Sequence, residues 1–420
     1  ALMIKKKLKK KVALTKKKAP AKKVHKKVLP SKSVPNKKSE SVLAIHKAPL
    51  HHRLKKIKEH LNNLRQEHVS PKIFTHMHGI FIWSGIFVAA MLVLAALFAY
   101  SDNVPQNVQT DSINIFSGNE DEDIVTLVAT GDVLLARYVE QRMRATGDYT
   151  LPFAKVADFL KSADVTFGNL ETPILDGVTT PKDSTTFRAD PKTVKGLQFA
   201  GYDVMSVANN HTMNYQIPGL TNTLKELKKA GILTSGGGKN QDFARAPAVV
   251  EVKGKTIAFL SYVDTKIPPR NYGIANYNTA GLAGMDIEAM KNDVKNASAA
   301  YDIVVVSMHS GTEYKKEPTQ LQKDFAHAAI DSGASAVIGA HPHVVQPVEY
   351  YGNGVIFYSL GNFVFDQFFS ADVKTGLAVR ISFEEGEKPV VELFPVKIDT
   401  TQPRILEGAE REETLKKLGL

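Results

Sequence analysis

Four histidines, far apart in the chain, each follow a short apolar run: His211, His309, His341 and His343. Asp132, Glu171, Asn209 and Asn210 stand in the same kind of position. Imidazole nitrogen, carboxylate oxygen and amide oxygen together suit one or two divalent ions of manganese, zinc or iron better than an all-oxygen calcium cage. Such an ion would activate a water or polarise a phosphoryl or acyl oxygen. Any one of these histidines has a plain alternative as a packing or surface residue. The plain reading must hold separately for four of the five histidines beyond residue 78, which weighs against it. The fifth, His327, lies mid-helix in DFAHAAI and reads as a packing or surface residue. In His341-Pro342-His343 an extended backbone would turn both rings to one side.

Rival chemistries find less support. The chain has no cysteine, which excludes disulfides, iron–sulfur clusters, thiolate zinc sites and thiol nucleophiles. The run Ser235-Gly236-Gly237-Gly238 lacks the Lys-Ser/Thr of a phosphate-binding loop and reads as a turn after a strand. No G-x-S-x-G elbow is present, so Ser359 in YSLGN reads as a turn or hydrogen-bonding residue.

The elements that must position these residues alternate. Strands are expected at 124–130, 164–168, 203–208, 302–308, 336–339 and 355–359, and a hairpin at 249–252 and 256–262 around Gly254. Helices are expected at 137–146, 152–162, 191–200, 217–231, 285–300 and 319–332. Residues 376–398 read as two antiparallel strands joined across 384–388. This order implies an α/β domain over 124–400 with helices covering its sheets, followed by a C-terminal tail at 401–420. Binding residues of such folds lie just beyond the carboxyl ends of the strands, where the polar residues above fall.

The charge is uneven. Residues 1–78 hold 23 Lys+Arg and 3 Asp+Glu, a net of +20. The remainder, with 31 basic and 40 acidic residues, nets −9. The tail at 1–78, rich in Lys, Ala, Val, Pro and Ser in its first fifty residues, cannot bury enough apolar surface to fold. It suits anionic lipid headgroups. Nucleic acid is disfavoured as a partner, because no aromatic precedes Phe74 to stack on bases. Leu54, Ile57, Leu61 and Leu64 share one helical face, which fits an interfacial helix or a short self-association seam.

Between the tail and the domain lies Gly79–Tyr100, GIFIWSGIFVAAMLVLAALFAY, without a charged residue. Its 22 residues reach roughly 33 Å as a helix, enough to cross a bilayer core. A core helix rarely runs so long without a charge, and a signal peptide begins near the N-terminus. The expectation is a transmembrane helix at 79–100, with the basic tail cytoplasmic and the domain extracytoplasmic, tethered through a polar linker at 101–123. Position 1 is Ala, which leaves room for an initiator or other leading residues.

Six blocks occur in order: ATGDVLL at 129–135, GNLETPI at 168–174, ANNHTMNY at 208–215, MHSGTEY at 308–314, GAHPHVVQPVE at 339–349 and YSLGNFVFDQ at 358–367. Together they resemble the CapA family of capsule-synthesis or poly-γ-glutamate biosynthesis proteins. The resemblance implies a relative of the calcineurin-like metallophosphoesterases, with a four-layer α/β/β/α sandwich and a two-metal centre. It implies Asp132, Glu171, Asn210, His309, His341 and His343 as metal ligands, with Glu171 in a bridging position. It implies His211 as a general acid near the leaving group and Glu313 as a nearby polar partner of the centre, counted with it as catalytic. Leu134 stands where the metallophosphoesterase motif has a His, and Asn214 and Gln216 stand where Asp and Gly are usual. The implied role is synthesis, export or anchoring of an anionic envelope polymer. Two forms of that role remain open: a metal-dependent hydrolase or transferase acting on a phosphoester or on the polymer, and a non-catalytic subunit among the partners of a polymer synthase.

Overall fold

The computed structural model describes residues 112–115, 123–267 and 273–420, all within one compact unit, Asp102–Leu420. The tail at 1–78, the span at 79–100 and most of the linker at 101–123 lie outside the described residues. Among the described residues no helix is long and apolar enough to cross a membrane.

The chain order is β1 (Ser112–Ile115), β2 (Val125–Val133), α1 (Arg137–Thr146), α2 (Ala157–Leu160), β3 (Val165–Leu170), α3 (Val194–Ala200), β4 (Val204–Ser206), α4 (Gln216–Lys229) and β5 (Leu233–Ser235). It continues with β6 (Gly237–Gly238), α5 (Gln241–Arg245), β7 (Ala248–Val252), β8 (Lys255–Val263), β9 (Gly281–Leu282), α6 (Ile287–Ala300), β10 (Ile303–His309), α7 (Gln320–Asp331) and β11 (Ala336–Ala340). The last elements are β12 (Val348–Tyr351), β13 (Gly354–Phe357), β14 (Asn362–Val364), β15 (Thr375–Phe383), β16 (Val390–Asp399), β17 (Gln402–Ile405) and α8 (Gly408–Leu418).

Two mixed sheets result. The first runs β1-β7-β8-β10-β11-β13-β12 and the second β17-β16-β15-β2-β3-β4-β5, with β14 beside the end of β2. Strands β2, β3, β4 and β5 pair in parallel, as do β8, β10, β11 and β13. Parallel neighbours need crossovers, which intervening helices supply except between β11 and β13, where the chain returns through strand β12. Side-chain alternation then sorts the core. Leu127 and Ala129 of β2 enter an apolar layer shared with Ile257 and Phe259 of β8. Val128 points the other way, to Val139 and Met143 of α1. Ala258, Leu260 and Tyr262 of β8 meet Met290 and Val294 of α6 and Phe325 of α7. The sheets therefore face each other across one core, with helices against both outer faces. Phe167 of β3 stacks on Phe259 of β8 with ring centroids 5.4 Å apart, joining the two sheets.

The helix expected at 152–162 is broken into a 3-10 turn, Leu151–Phe153, and the single turn α2. The break lies at Val156, whose φ of −129° leaves the helical region, and Phe153, Val156 and Leu160 are all buried across it. Ser112–Ile115, inside the stretch read as linker, forms an edge strand parallel to β7. The stretch read as a C-terminal tail adds β17 and α8 to the second sheet, with Leu415 buried and Leu418 and Leu420 packed on the core.

Candidate metal centre

The polar residues collect where the carboxyl ends of both parallel runs meet. Asp132 lies near the end of β2, and Glu171 follows β3. Asn210 and His211 follow β4, His309 ends β10, and His341 and His343 follow β11. A side chain at Gly131 is sterically forbidden: a Cβ there would sit 1.8 Å from the Gly361 carbonyl. That carbonyl accepts the Asp132 N–H at 2.9 Å and fixes the end of β2.

Three overlapping sets of donor atoms result, each within 4.8 Å: Glu171, His309 and His341; Asp132, Glu171 and His343; Glu313, His341 and His343. Both rings of His341-Pro342-His343 enter the site, but not through an extended backbone. His341 and His343 take φ of 98° and 58°, a left-handed conformation uncommon outside glycine. Such strain persists where surrounding structure enforces it, often at functional sites. Here the His341 N–H donates to Asp132 Oδ2 at 3.3 Å.

The amides around the cluster fix the imidazoles. Asn214 Oδ1 accepts the Phe187 N–H at 2.7 Å, so it is the oxygen, and His211 Nδ1, 3.0 Å away, must donate to it. The lone pair of His211 is then on Nε2, 3.7 Å from Glu171 Oε1. Phe187 also stacks on the His211 ring at 3.8 Å between centroids. Asn362 donates from Nδ2 to the Val373 carbonyl at 3.0 Å, which turns its Oδ1 to His343 Nδ1 at 2.9 Å. Asn169 donates to Asp132 Oδ1 at 2.8 Å and to His309 Nδ1 at 3.2 Å. His309 Nε2 thus carries a proton toward Asn210 Oδ1 at 2.9 Å, a bond both groups must give up to ligate an ion.

Electrostatically the only imidazole of the cluster that favours its charged form is His343, set against buried carboxylates. Glu171 is fully enclosed and neither carboxylate oxygen has a hydrogen-bond partner. Burial, with the Asp132 charge beside it, raises its pKa well above the ordinary value. Burial lowers His211 and His341 to about 3 and also lowers His309, so these rings are neutral and suited to ligation. Burial opposes charge on His343 too, but Glu171, Asp132 and Glu313 outweigh it and raise it to about 9. A proton on His343 is held by carboxylates that a divalent ion would satisfy better. The orphaned Glu171 oxygens, the partnerless His341 Nδ1 and the neutral imidazoles fit such an ion.

Of the residues singled out as ligands or catalytic groups, all but Asn209 are brought here, Glu313 on the exposed side. Asn209 is not a ligand candidate: its Oδ1 accepts from His211 N, Thr212 N and Thr212 Oγ1, and its Nδ2 donates to the Leu170 carbonyl and Asn169 Oδ1. Leu134 is buried among Ala136, Phe187 and Phe365, so that position offers packing and no donor. Ser359 spends its hydroxyl on the Val344 carbonyl and the Gly361 N–H. His327 bonds Glu349 and stacks on Tyr351, away from the cluster. Sequence reasoning missed Asn169, Asn362 and Phe187. The GN pairs in GNLETPI and YSLGNFVFDQ were the available signal for the two amides.

The sequence profile described as bacterial capsule synthesis protein PGA_cap matches residues 126–367. The chain belongs to the PGA_cap family. That stretch contains all eight site residues named above. Among PGA_cap relatives, the PGA biosynthesis protein CapA of Bacillus subtilis (strain 168) is 30% identical over 321 residues, 76% of this chain and 82% of that one. The capsule biosynthesis protein CapA of Bacillus anthracis is 30% identical over 332 residues, 77% and 79% of the two chains. Of solved structures, the NAD nucleotidase of Haemophilus influenzae aligns with a TM-score of 0.39 at 10% identity, covering 70% of this chain and 56% of that one.

Proposed function

We propose that this PGA_cap protein is a membrane-anchored, extracytoplasmic component in the synthesis, export or anchoring of an anionic envelope polymer. The polymer is of the poly-γ-glutamate type, and the cluster at the strand ends is a metal-dependent hydrolase or transferase site of metallophosphoesterase kind. The names of the two Bacillus relatives support the polymer, and the charge-free 79–100 stretch supports the anchor. The carrying observation is Glu171, a fully enclosed carboxylate with no partner on either oxygen, ringed by imidazoles.

In this reading Asp132, Glu171, Asn210, His309, His341 and His343 hold one or two divalent ions. The ion supplies Lewis acidity toward a water and a phosphoryl or acyl oxygen. Asn362 orients the His343 ring through the hydrogen bond to its Nδ1, a support that tunes such sites, whereas Asn169 holds His309 in the tautomer protonated on Nε2, which has to shift before that nitrogen ligates. His211, neutral and with its lone pair on Nε2, takes up a proton; an acid role would first require protonation there. Glu313 faces the entrance and adds negative charge beside His341 and His343.

One observation favours the second reading, a non-catalytic subunit of a polymer synthase: the apolar packing of Leu134 where related phosphoesterases carry a ligand. Hydrolysis of bis(p-nitrophenyl) phosphate by the full chain with added manganese separates the two. The catalytic reading predicts turnover that His341→Ala abolishes. Absent turnover with metal demonstrably bound favours the subunit role.

A further inference from the structure

The segment after β10 and the segment after β14 both place aromatic rings at the entrance of the centre. Tyr314 is 43% exposed and Phe369 is 67% exposed. Their rings meet edge to face, centroids 5.1 Å apart at 88°. Tyr314 also lies against His343, 6.0 Å between centroids at 30°. A second edge-to-face pair, Tyr138 and Phe368, carries the Lys182 ammonium 5.3 Å and 6.0 Å from its two rings.

Tyr314 is held in place at some cost. Its φ of 63° is left-handed, and its N–H donates to the Pro342 carbonyl at 2.8 Å, between the two histidines. Its hydroxyl accepts from Gln367 Nε2 at 3.1 Å. Gln367 Oε1 accepts from Asn362 Nδ2 at 3.1 Å, and Asn362 Oδ1 holds His343. A strained, tethered ring beside a polar centre is an odd use of backbone energy if it serves the fold alone. Phe369, with two thirds of its surface in water, adds little to the core. Exposed aromatic surface set beside a cluster of polar groups fits a binding surface.

We propose that Tyr314 and Phe369 form an aromatic platform that packs against a planar apolar group of the substrate, next to the anionic group bound at the metal centre. The substrate class is an oxyanion bearing a flat substituent, such as an aryl ester or a planar amide chain, rather than a small alkyl or inorganic anion. The proposal rests on the metal-centre reading for the oxyanion's position. Phenylphosphonate and methylphosphonate are suitable probes, since neither is hydrolysed. Their affinities for the full chain are measured by calorimetry with and without manganese.

The platform predicts phenylphosphonate bound roughly tenfold tighter than methylphosphonate, as one aromatic contact plus its buried area allows. The ratio should fall to about one in Phe369→Ala and in Tyr314→Ala. It should persist in Tyr314→Phe, which keeps the ring, and in Val390→Ala, at an exposed apolar residue of β16. Equal affinities in the wild type, or no binding of either probe, overturns the platform. Tighter phenylphosphonate binding that is indifferent to manganese keeps the platform and sinks the metal reading instead.

Discussion

The amide oxygen of Asn214 accepts the Nδ1 proton of His211 at 3.0 Å, so His211 presents a bare Nε2 to the centre. The second bond to that oxygen, from the Phe187 backbone, removes the alternative orientation of the amide. A carboxylate in place of Asn214 would hold a charged imidazolium; the neutral amide does not.

Asn214→Asp therefore moves the titration of His211 upward from about 3, by about 1 to 3 pH units, because an opposite charge within hydrogen-bond reach favours the protonated ring. The shape and the Phe187 bond are retained. Following the His211 ring protons by NMR across pH 3–8 checks this, and an unmoved titration contradicts the assigned hydrogen bond.

Gly131→Ala should cost the site its metal before it costs the protein its fold. The added Cβ collides with the Gly361 carbonyl at 1.8 Å and displaces Asp132, whose N–H that carbonyl accepts. Metal content should drop while circular dichroism shows both sheets largely retained. Full metal occupancy in the variant would show that Asp132 tolerates displacement.

Phe167→Ala removes the ring that stacks on Phe259 between the sheets. The expected loss is about 3–5 kcal/mol in chemical denaturation, the range for a large aromatic deleted from a core. A loss under about 1 kcal/mol would mean the sheets repack without it.

Asp203 supplies a pH signature independent of the centre. Burial raises its pKa to about 6, against the partial relief of the Thr166 N–H donated at 2.8 Å. A raised carboxyl pKa stabilises the fold below the unfolded value of about 4, and that contribution is lost as pH rises through about 6. Asp203→Asn keeps an acceptor for Thr166 and removes the titration. Thermal denaturation should show the variant gaining on the wild type between pH 4 and 7; parallel curves would contradict the shift.

Much of the centre was legible because histidine is scarce in the domain, with five beyond residue 78, and four of them fall after apolar β runs. His309 and Glu171 could be placed at strand ends from alternation and strand length alone. The left-handed turn at His341 and His343 could not, since no periodic pattern encodes it and the intervening proline suggests extension. Beyond their GN pairs, Asn169 and Asn362 carry no sequence signal of their role, because only the meeting of the two sheets sets them against His309 and His343. The closing helix, Gly408–Leu418, was missed because it buries little besides Leu415 and so shows a weak apolar stripe. Its packing depends on β16 and β17, far from any local signal.

The central claim is that this cluster holds a divalent ion. Elemental analysis of the full chain, purified without chelator, beside a His341→Ala, His343→Ala double variant, tests it most directly. The account predicts about one or two equivalents of manganese, zinc or iron in the wild type and a clear loss in the variant. No metal in the wild type, and none taken up when these ions are supplied, would contradict it.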